Sequence, residues 1–144
     1  MIERRLVTKA LQELLSTATG KPCGTGALPQ SGGKPAEPPY SVLRSLPLTL
    51  SGAPFSDLHE DSDTLYQADC VARSHEQAEW LADRVRTGVL GRDERGVWLH
   101  ALTVPGWSCY ARELDLDAGP EDDAAATILF YVIRFRLCWT RSAG

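Results

Sequence analysis

The sequence predicts an α+β fold in which two helices pack on one face of a mainly antiparallel β-sheet. Two segments, 2–16 and 75–89, repeat apolar residues at helical spacing. The remaining regular segments are extended, so the order of elements is helix, two strands, helix and three strands, which suits two helices covering one sheet face. The extended segments are 40–50, 64–73, 97–107, 108–116 and 127–140. A length of 144 residues fits one domain spanning 1–144.

Each predicted helix has signals at its ends. Gly20 and Pro22 end the first helix. Ser74 is a favourable N-cap for the second helix, and Gln77, three residues later, completes a capping box. The apolar stripe of the first helix consists of Leu6, Val7, Ala10, Leu11, Leu14 and Leu15, and that of the second of Ala78, Leu81, Ala82 and Val85.

The segments between these elements predict loops and irregular strands. Residues 17–39 are rich in Gly, Pro, Ser and Thr, which predicts a long irregular arm or loop. Pro47 confines the 40–50 strand to a sheet edge or a bulge. A turn is expected at 91–96, a strand broken at Pro105-Gly106 is expected over 97–107, and an acidic loop is expected at 115–123.

The last strand has two unlike faces. Alternate residues of a strand point to opposite sides, so one face is wholly apolar and is predicted to pack under the helices. The other face contains Arg134 and Arg136, and an isolated buried arginine is costly, so these side chains must reach water, a carboxylate or another subunit. The apolar face consists of Leu129, Tyr131, Ile133, Phe135, Leu137 and Trp139.

Composition excludes some functions. The net charge of -4 and the pI near 5.3 argue against nucleic acid as the main ligand, since phosphate binding usually needs a basic excess. No segment has the apolar length of a membrane span, and the first residues contain no apolar signal core, so we expect synthesis in a cytosol. The four cysteines form no CxxC pair and have no histidine at ligand spacing, which makes a structural zinc site improbable.

The sequence contains two acidic clusters that could bind a cation or pair with arginines. Asp57, His59, Glu60, Asp61 and Asp63 crowd together and could bind a divalent cation, but their spacing matches no calcium loop, so a solvated turn is favoured. The second cluster serves either for solubility or as an electrostatic match for arginines of the last strand, within the chain or in a neighbouring copy. It consists of Glu113, Asp115, Asp117, Glu121, Asp122 and Asp123. No catalytic, cofactor-binding or metal-ligating residues are predicted.

The order of elements, their spacing and the chain length together resemble one known family. An amphipathic N-terminal helix precedes a Gly/Pro-rich stretch and the strand "PPYSVL", and "LYQADCVARSHEQAEWLADRVRTGVL" runs from a strand straight into a capped helix. The last two strands, joined by an acidic loop, read "ARELDLDAGPEDD…FYVIRFRL". Over nearly the whole chain this resembles the tail terminator (tail completion) proteins of long-tailed bacteriophages.

The resemblance implies a structural virion protein at the tail–head junction, assembled in the host cytoplasm, rather than an enzyme. Members of the family form a hexameric ring that caps the tail tube, stops its growth and offers a surface to the head–tail connector. DNA passes through the lumen without sequence recognition, and no cofactor is needed. From the charges, and not from a family motif, we expect subunit-interface residues among Arg112, Glu113, Asp115, Asp117, Arg134 and Arg136.

Two alternatives remain open at this stage. One is another neck or head-closure protein of the same particle, although several such proteins are mostly helical or small barrels. The other is a small metal-dependent enzyme that uses the 57–63 acidic cluster.

Overall fold

A computed structural model describes residues 2–47, 61–122 and 127–142. It confirms the predicted fold class: two helices pack against a mixed, mostly antiparallel five-stranded sheet, and a small hairpin is added. Neither of the two helices in the described part of the chain is long and apolar enough to cross a membrane. The elements are α1 (Arg4–Thr19), β1 (Cys23–Thr25), β2 (Gln30–Ser31), β3 (Lys34–Pro35), β4 (Tyr40–Leu46), β5 (Ser62–Ala72), α2 (His75–Leu90), β6 (Trp107–Asp122) and β7 (Leu129–Arg141).

The sheet has the strand order β1-β4-β5-β7-β6. Only the short β1 is parallel to its neighbour β4, and the other three pairings are antiparallel. Strands β2 and β3 form a separate two-stranded hairpin. The predicted last strand therefore lies inside the sheet, between β5 and β6, and β6 is an edge strand.

Both helices end where the sequence predicts, with small differences. Gly20 adopts a left-handed conformation (φ 68°) and its N–H donates to the Ser16 carbonyl, which closes α1 three residues later than predicted. Ser74 Oγ accepts a hydrogen bond of 3.2 Å from the Gln77 N–H, as the capping box predicts. The Gln77 side chain reaches back to the N–H of Arg73 rather than to that of Ser74.

The main core lies between the helices and the sheet. The whole predicted apolar face of β7 is buried there, from Leu129 to Trp139. Two side-chain hydrogen bonds lie in this core: Trp139 Nε1 donates to Thr64 Oγ1 at 3.1 Å, and Tyr66 Oη is 2.7 Å from Thr8 Oγ1. The predicted burial of alternate residues along β7 is therefore confirmed.

The segment predicted to be irregular, 17–39, contains regular structure. Its first residues complete α1, and Cys23–Thr25 joins the sheet as β1. The rest forms the β2–β3 hairpin and returns to the sheet, where Ala36 belongs to a second small core. Taken alone, the composition of this segment predicts a loop. Its backbone pairing with β4 and the apolar contact of Ala36 give it regular structure instead. The second core consists of Ala36, Tyr40, Val42 and Val71, against which Ile128 and Phe130 pack.

Two other local predictions were wrong. The segment 97–107 is not a strand before Trp107: it contains only isolated bridges, at Trp98 and Val104. Most of the predicted acidic loop, up to Asp122, continues β6, because pairing with β7 outweighs poor strand propensity and three register irregularities absorb the misfit. Strand β4 ends at Leu46, one residue before Pro47, and β1 pairs only with its residues 41–43, so the end of β4 near Pro47 lies beyond the pairing with β1, in agreement with the edge position that Pro47 predicts. Residues 48–50 of the predicted strand lie outside the described residues.

Candidate functional site

The two faces of the sheet differ in what covers them. Tyr66, Ala68 and Cys70 of β5 are fully buried under the helices, whereas the residues between them are only partly buried and point away from the helices. We call this second side the open face. Its central side chains are Arg44 of β4, Asp63, Leu65, Gln67 and Asp69 of β5, Val132, Arg134 and Arg136 of β7, and Glu113 and Leu116 of β6.

A row of polar side chains crosses the open face. Strand register places Arg44 and Arg134 on either side of Gln67. Arg44 Nε donates to Asp69 Oδ2 at 2.8 Å, and Gln67 Nε2 donates to Asp69 Oδ1 at 2.7 Å. Arg134 Nε in turn donates to Gln67 Oε1 at 2.9 Å. The aspartate thus orients the glutamine amide so that its oxygen faces Arg134.

Arg136 is neutralised within the chain. Its Nη2 and Nε donate to Asp63 Oδ2 at 2.6 and 3.2 Å. The hydrogen bond to Asp63 and the charge of that carboxylate raise the pKa of the Arg136 guanidinium, and the charge of Glu113, opposite on β6, adds to this. The partner of Arg136 is therefore Asp63, a residue of the first acidic cluster, and not a residue of the second cluster.

Arg134 has a different environment. Its side chain is half-buried, and Leu116 of β6 lies directly across from it. Within the described residues it forms no ion pair, and its hydrogen bond to Gln67 uses only Nε. The two terminal nitrogens of the guanidinium are the part that remains for other contacts.

Arg112 lies on the opposite side of the sheet, under the end of α2. It is only 7% exposed, and its Nη1 donates to the Val89 carbonyl at 3.0 Å. Its guanidinium stacks on the Trp98 ring at 4.4 Å, and Arg92 lies over the same ring at 4.0 Å. Burial lowers the pKa of Arg112. These contacts are internal, so Arg112 is not part of the open face.

Asp117 is also turned towards the helices. Arg86 of α2 donates to Asp117 Oδ2 at 2.8 Å and to the Tyr131 hydroxyl at 3.1 Å, and it also contacts Asp83. Within the chain, Asp117 therefore pairs with Arg86 rather than with an arginine of the last strand, and it joins α2 to β6. The reason is the register irregularity that brings Asp117 opposite Ile133 on the helix-covered side.

Three further carboxylates of β6 are exposed. Glu113, Asp115 and Glu121 form no ion pair with any described residue. Asp115 falls within the irregularity between Leu114 and Leu116, so it is not matched to a residue of β7. The edge strand therefore presents negative charge, and the large apolar side chain of Leu114 beside it is 44% exposed.

The metal hypothesis concerns residues that are only partly described. Asp57, His59 and Glu60 lie outside the described residues, and Asp61 is exposed. Asp63 is engaged by Arg136. Across the described ranges, no three His, Cys, Asp or Glu side chains are grouped so that they could hold a metal ion.

Sequence reasoning found two of the three open-face arginines but not their partners. The alternation of β5 does place Gln67 and Asp69 on one side of the strand. Strand register, which decides that Gln67 faces Arg134, carries no local signal in the sequence, and Arg44 was missed for the same reason.

No protein-family model and no curated protein matches the chain in sequence. The fold and the charges of the open face are therefore the basis for a functional interpretation. In the part of the chain that the structure describes, this face consists of half-buried charged and apolar side chains on which neither helix packs.

Proposed function

We propose that the protein is a tail terminator of a long-tailed phage. In this role copies associate into a ring that caps the tail tube, ends its polymerisation and offers a surface to the head–tail connector. The observation that carries the proposal is the open face: one side of a two-layer domain carries three arginines among half-buried apolar side chains, and neither of the two described helices covers it.

An uncovered sheet face is not unusual by itself, since antiparallel sheets often have one solvated side. The composition of this face favours an interface. Leu65, Val132 and Leu116 are half-buried beside the arginines. Arginine and apolar residues are enriched at the centres of protein interfaces, where arginine combines a planar charge with stacking surface.

The edge of the sheet supports the same interpretation. Strand β6 is 16 residues long, and no other described strand pairs with its outer side. Irregular register and exposed carboxylates are the devices by which proteins prevent indiscriminate strand pairing at such an edge. Tyr110 and Leu114 are nevertheless 53% and 44% exposed there. A long edge that is protected from random pairing but keeps apolar side chains suits a specific partner.

The partners come from the resemblance. They are further copies of the chain, the tail tube protein and the head–tail connector, with DNA passing through the lumen. The fold class and the direct passage from β5 into the capped helix α2 agree with parts of the pattern on which the resemblance depends, whereas the acidic segment before the last strand is mostly strand and not loop.

The experiment is a tube-growth assay. Tail tube protein of the same phage is polymerised with and without the purified chain, and tube lengths are measured by negative-stain electron microscopy. We expect capped tubes that stop lengthening, with extra density at one end. The charge change Arg95→Glu, in the turn after α2 and outside the open face, is the matched control and should cap normally. Tubes that lengthen unchanged in the presence of the folded chain would refute the proposal.

A further inference from the structure

The open face contains three arginines in two electrostatic situations. Arg44 and Arg136 each form an ion pair with an aspartate of β5, at 2.8 and 2.6 Å. Arg134 has no such partner within the ranges that the structure describes, although it lies between strands near the middle of the sheet. A guanidinium that is half-buried and unneutralised has lost part of its hydration without gaining a countercharge. A carboxylate from a partner would supply the countercharge that this guanidinium lacks.

The Arg134 side chain is already positioned. Asp69 orients the Gln67 amide, and the amide oxygen accepts from Arg134 Nε at 2.9 Å. This leaves Nη1 and Nη2, whose planar arrangement matches a carboxylate. Because the hydrogen bond to Gln67 already restricts the Arg134 side chain, little additional conformational entropy is lost when a carboxylate binds.

The same chain exposes a complementary group on its edge strand. Asp115 is exposed, has no basic partner in the described part of the chain, and falls within a register irregularity that takes it out of the regular ladder. Glu113 is less available, since it lies opposite Arg136 and contributes to the field that acts on that side chain. Leu114, exposed beside Asp115, can add apolar contact area.

We propose that Arg134 of one copy binds Asp115 of a second copy, so that the open face of each subunit receives the β6 edge of the next. This deepens the proposed function and depends on it, because it names the contact through which copies associate. Arg134 lies on β7 inside the sheet and Asp115 on the edge strand β6. In the proposed head-to-tail contact, each copy uses its face for one neighbour and its edge for another. Such a contact closes into a ring or continues as a chain.

The first test is association of the purified chain, measured by sedimentation equilibrium up to the solubility limit at low and high salt. We expect self-association that weakens as salt rises. Arg134→Glu and Asp115→Lys should each raise the Kd about 100-fold, since each places like charges together. An equimolar mixture of these two variants should associate again, because the reversed charges match. Arg95→Glu is the charge control and should associate like the unmodified chain.

A second mixture tests the head-to-tail geometry. Arg134→Ala keeps an intact edge, and Asp115→Ala keeps an intact face. Mixed in equal amounts, they can form one native contact per pair and no other, so we expect dimers without larger species. The Asp115 variants change an exposed side chain, so they remain informative even if Arg134→Glu impairs folding, which near-UV circular dichroism will show.

Four results would overturn the contact: an unmodified chain that stays monomeric at every concentration and salt, an Arg134→Glu variant that is folded and associates normally, a charge-reversed mixture that fails to recover, or larger species in the alanine mixture. The tube-growth assay is scored separately. A chain that associates through Arg134 but does not cap tubes retains the contact and refutes the tail-terminator function.

Discussion

A close contact between the two helices offers a sharp test of the packing. Gly88 of α2 lies against α1, and a Cβ added to it would be 2.5 Å from the Cβ of Ala18. Two carbon atoms prefer a separation of about 3.5–4.0 Å, so the helices would have to separate by about 1 Å. The Ala18 Cβ is attached directly to the α1 backbone, so no change of rotamer can relieve the contact. The change Gly88→Ala therefore tests this contact.

Two effects of opposite sign decide the result. Alanine in a helix interior is favoured over glycine by about 1 kcal/mol. Overpacking a close contact costs about 1–3 kcal/mol. We expect a net loss of about 1 kcal/mol in the free energy of unfolding. Ala18→Gly alone should also lose about 1 kcal/mol, through helix propensity. In the double variant the propensity terms cancel and the clash is absent, so its stability should return to about that of the unmodified chain.

The measurement is urea unfolding followed by circular dichroism for the four chains, which gives the coupling free energy between the two positions. We expect about 2 kcal/mol of coupling. Thr87→Ala, at an exposed neighbouring position of α2, is the control and should be neutral or slightly stabilising. A Gly88→Ala variant more stable than the unmodified chain, or a double variant that shows only the sum of the single losses, would refute this description of the helix contact.

Three further predictions concern stability and use the same unfolding assay. Thr64→Val should lower the free energy of unfolding by about 1–3 kcal/mol, because the Trp139 indole N–H is then buried without an acceptor. Thr64→Ser keeps the hydroxyl and should be less destabilising. Equal losses in the two variants would contradict this account. Ser74→Ala should lower the free energy of unfolding by about 1 kcal/mol, because it removes the acceptor for the Gln77 N–H. Ser74→Asp still offers an acceptor and should retain most of the stability of the unmodified chain. Burial, and next the charge of Asp69, raises the pKa of Cys70 from 9.0 to about 12. Between these pH values the folded chain keeps a thiol proton that the unfolded chain loses, so the free energy of unfolding should fall as pH rises from 9.0 to about 12. The change Cys70→Ala should make this fall smaller.

The ion pair of Arg136 changes what a substitution there would measure. From the sequence alone, Arg136→Glu is expected to impair assembly more than folding. In the structure Arg136 is bound to Asp63, so the change also places two carboxylates together within one chain. Loss of both properties is then expected, and Arg134 becomes the residue at which assembly can be tested separately.

The sheet edge illustrates how tertiary structure overrides local sequence. Residues 115–122 contain Asp, Gly and Pro, which disfavour strands, and predict a loop. They continue β6 because β7 supplies hydrogen-bond partners along its whole length, and the irregular register accommodates residues that do not fit the ladder. The opposite error, a strand at 97–107, arises because an apolar run with some alternation predicts a strand even when no neighbouring strand is available to pair with it.

The sequence by itself determined the fold class, both helices with their caps, and the division of the last strand into a buried and a charged face. These features follow from periodicity and capping, which are local properties of the chain. Tertiary structure alone decided which side chains meet across strands: that Asp63 neutralises Arg136, that Asp117 turns to Arg86, and that Arg134 keeps a free carboxylate-binding fork among the described residues. Register and bulges set those partners, and a shift of one residue reverses which face a side chain occupies.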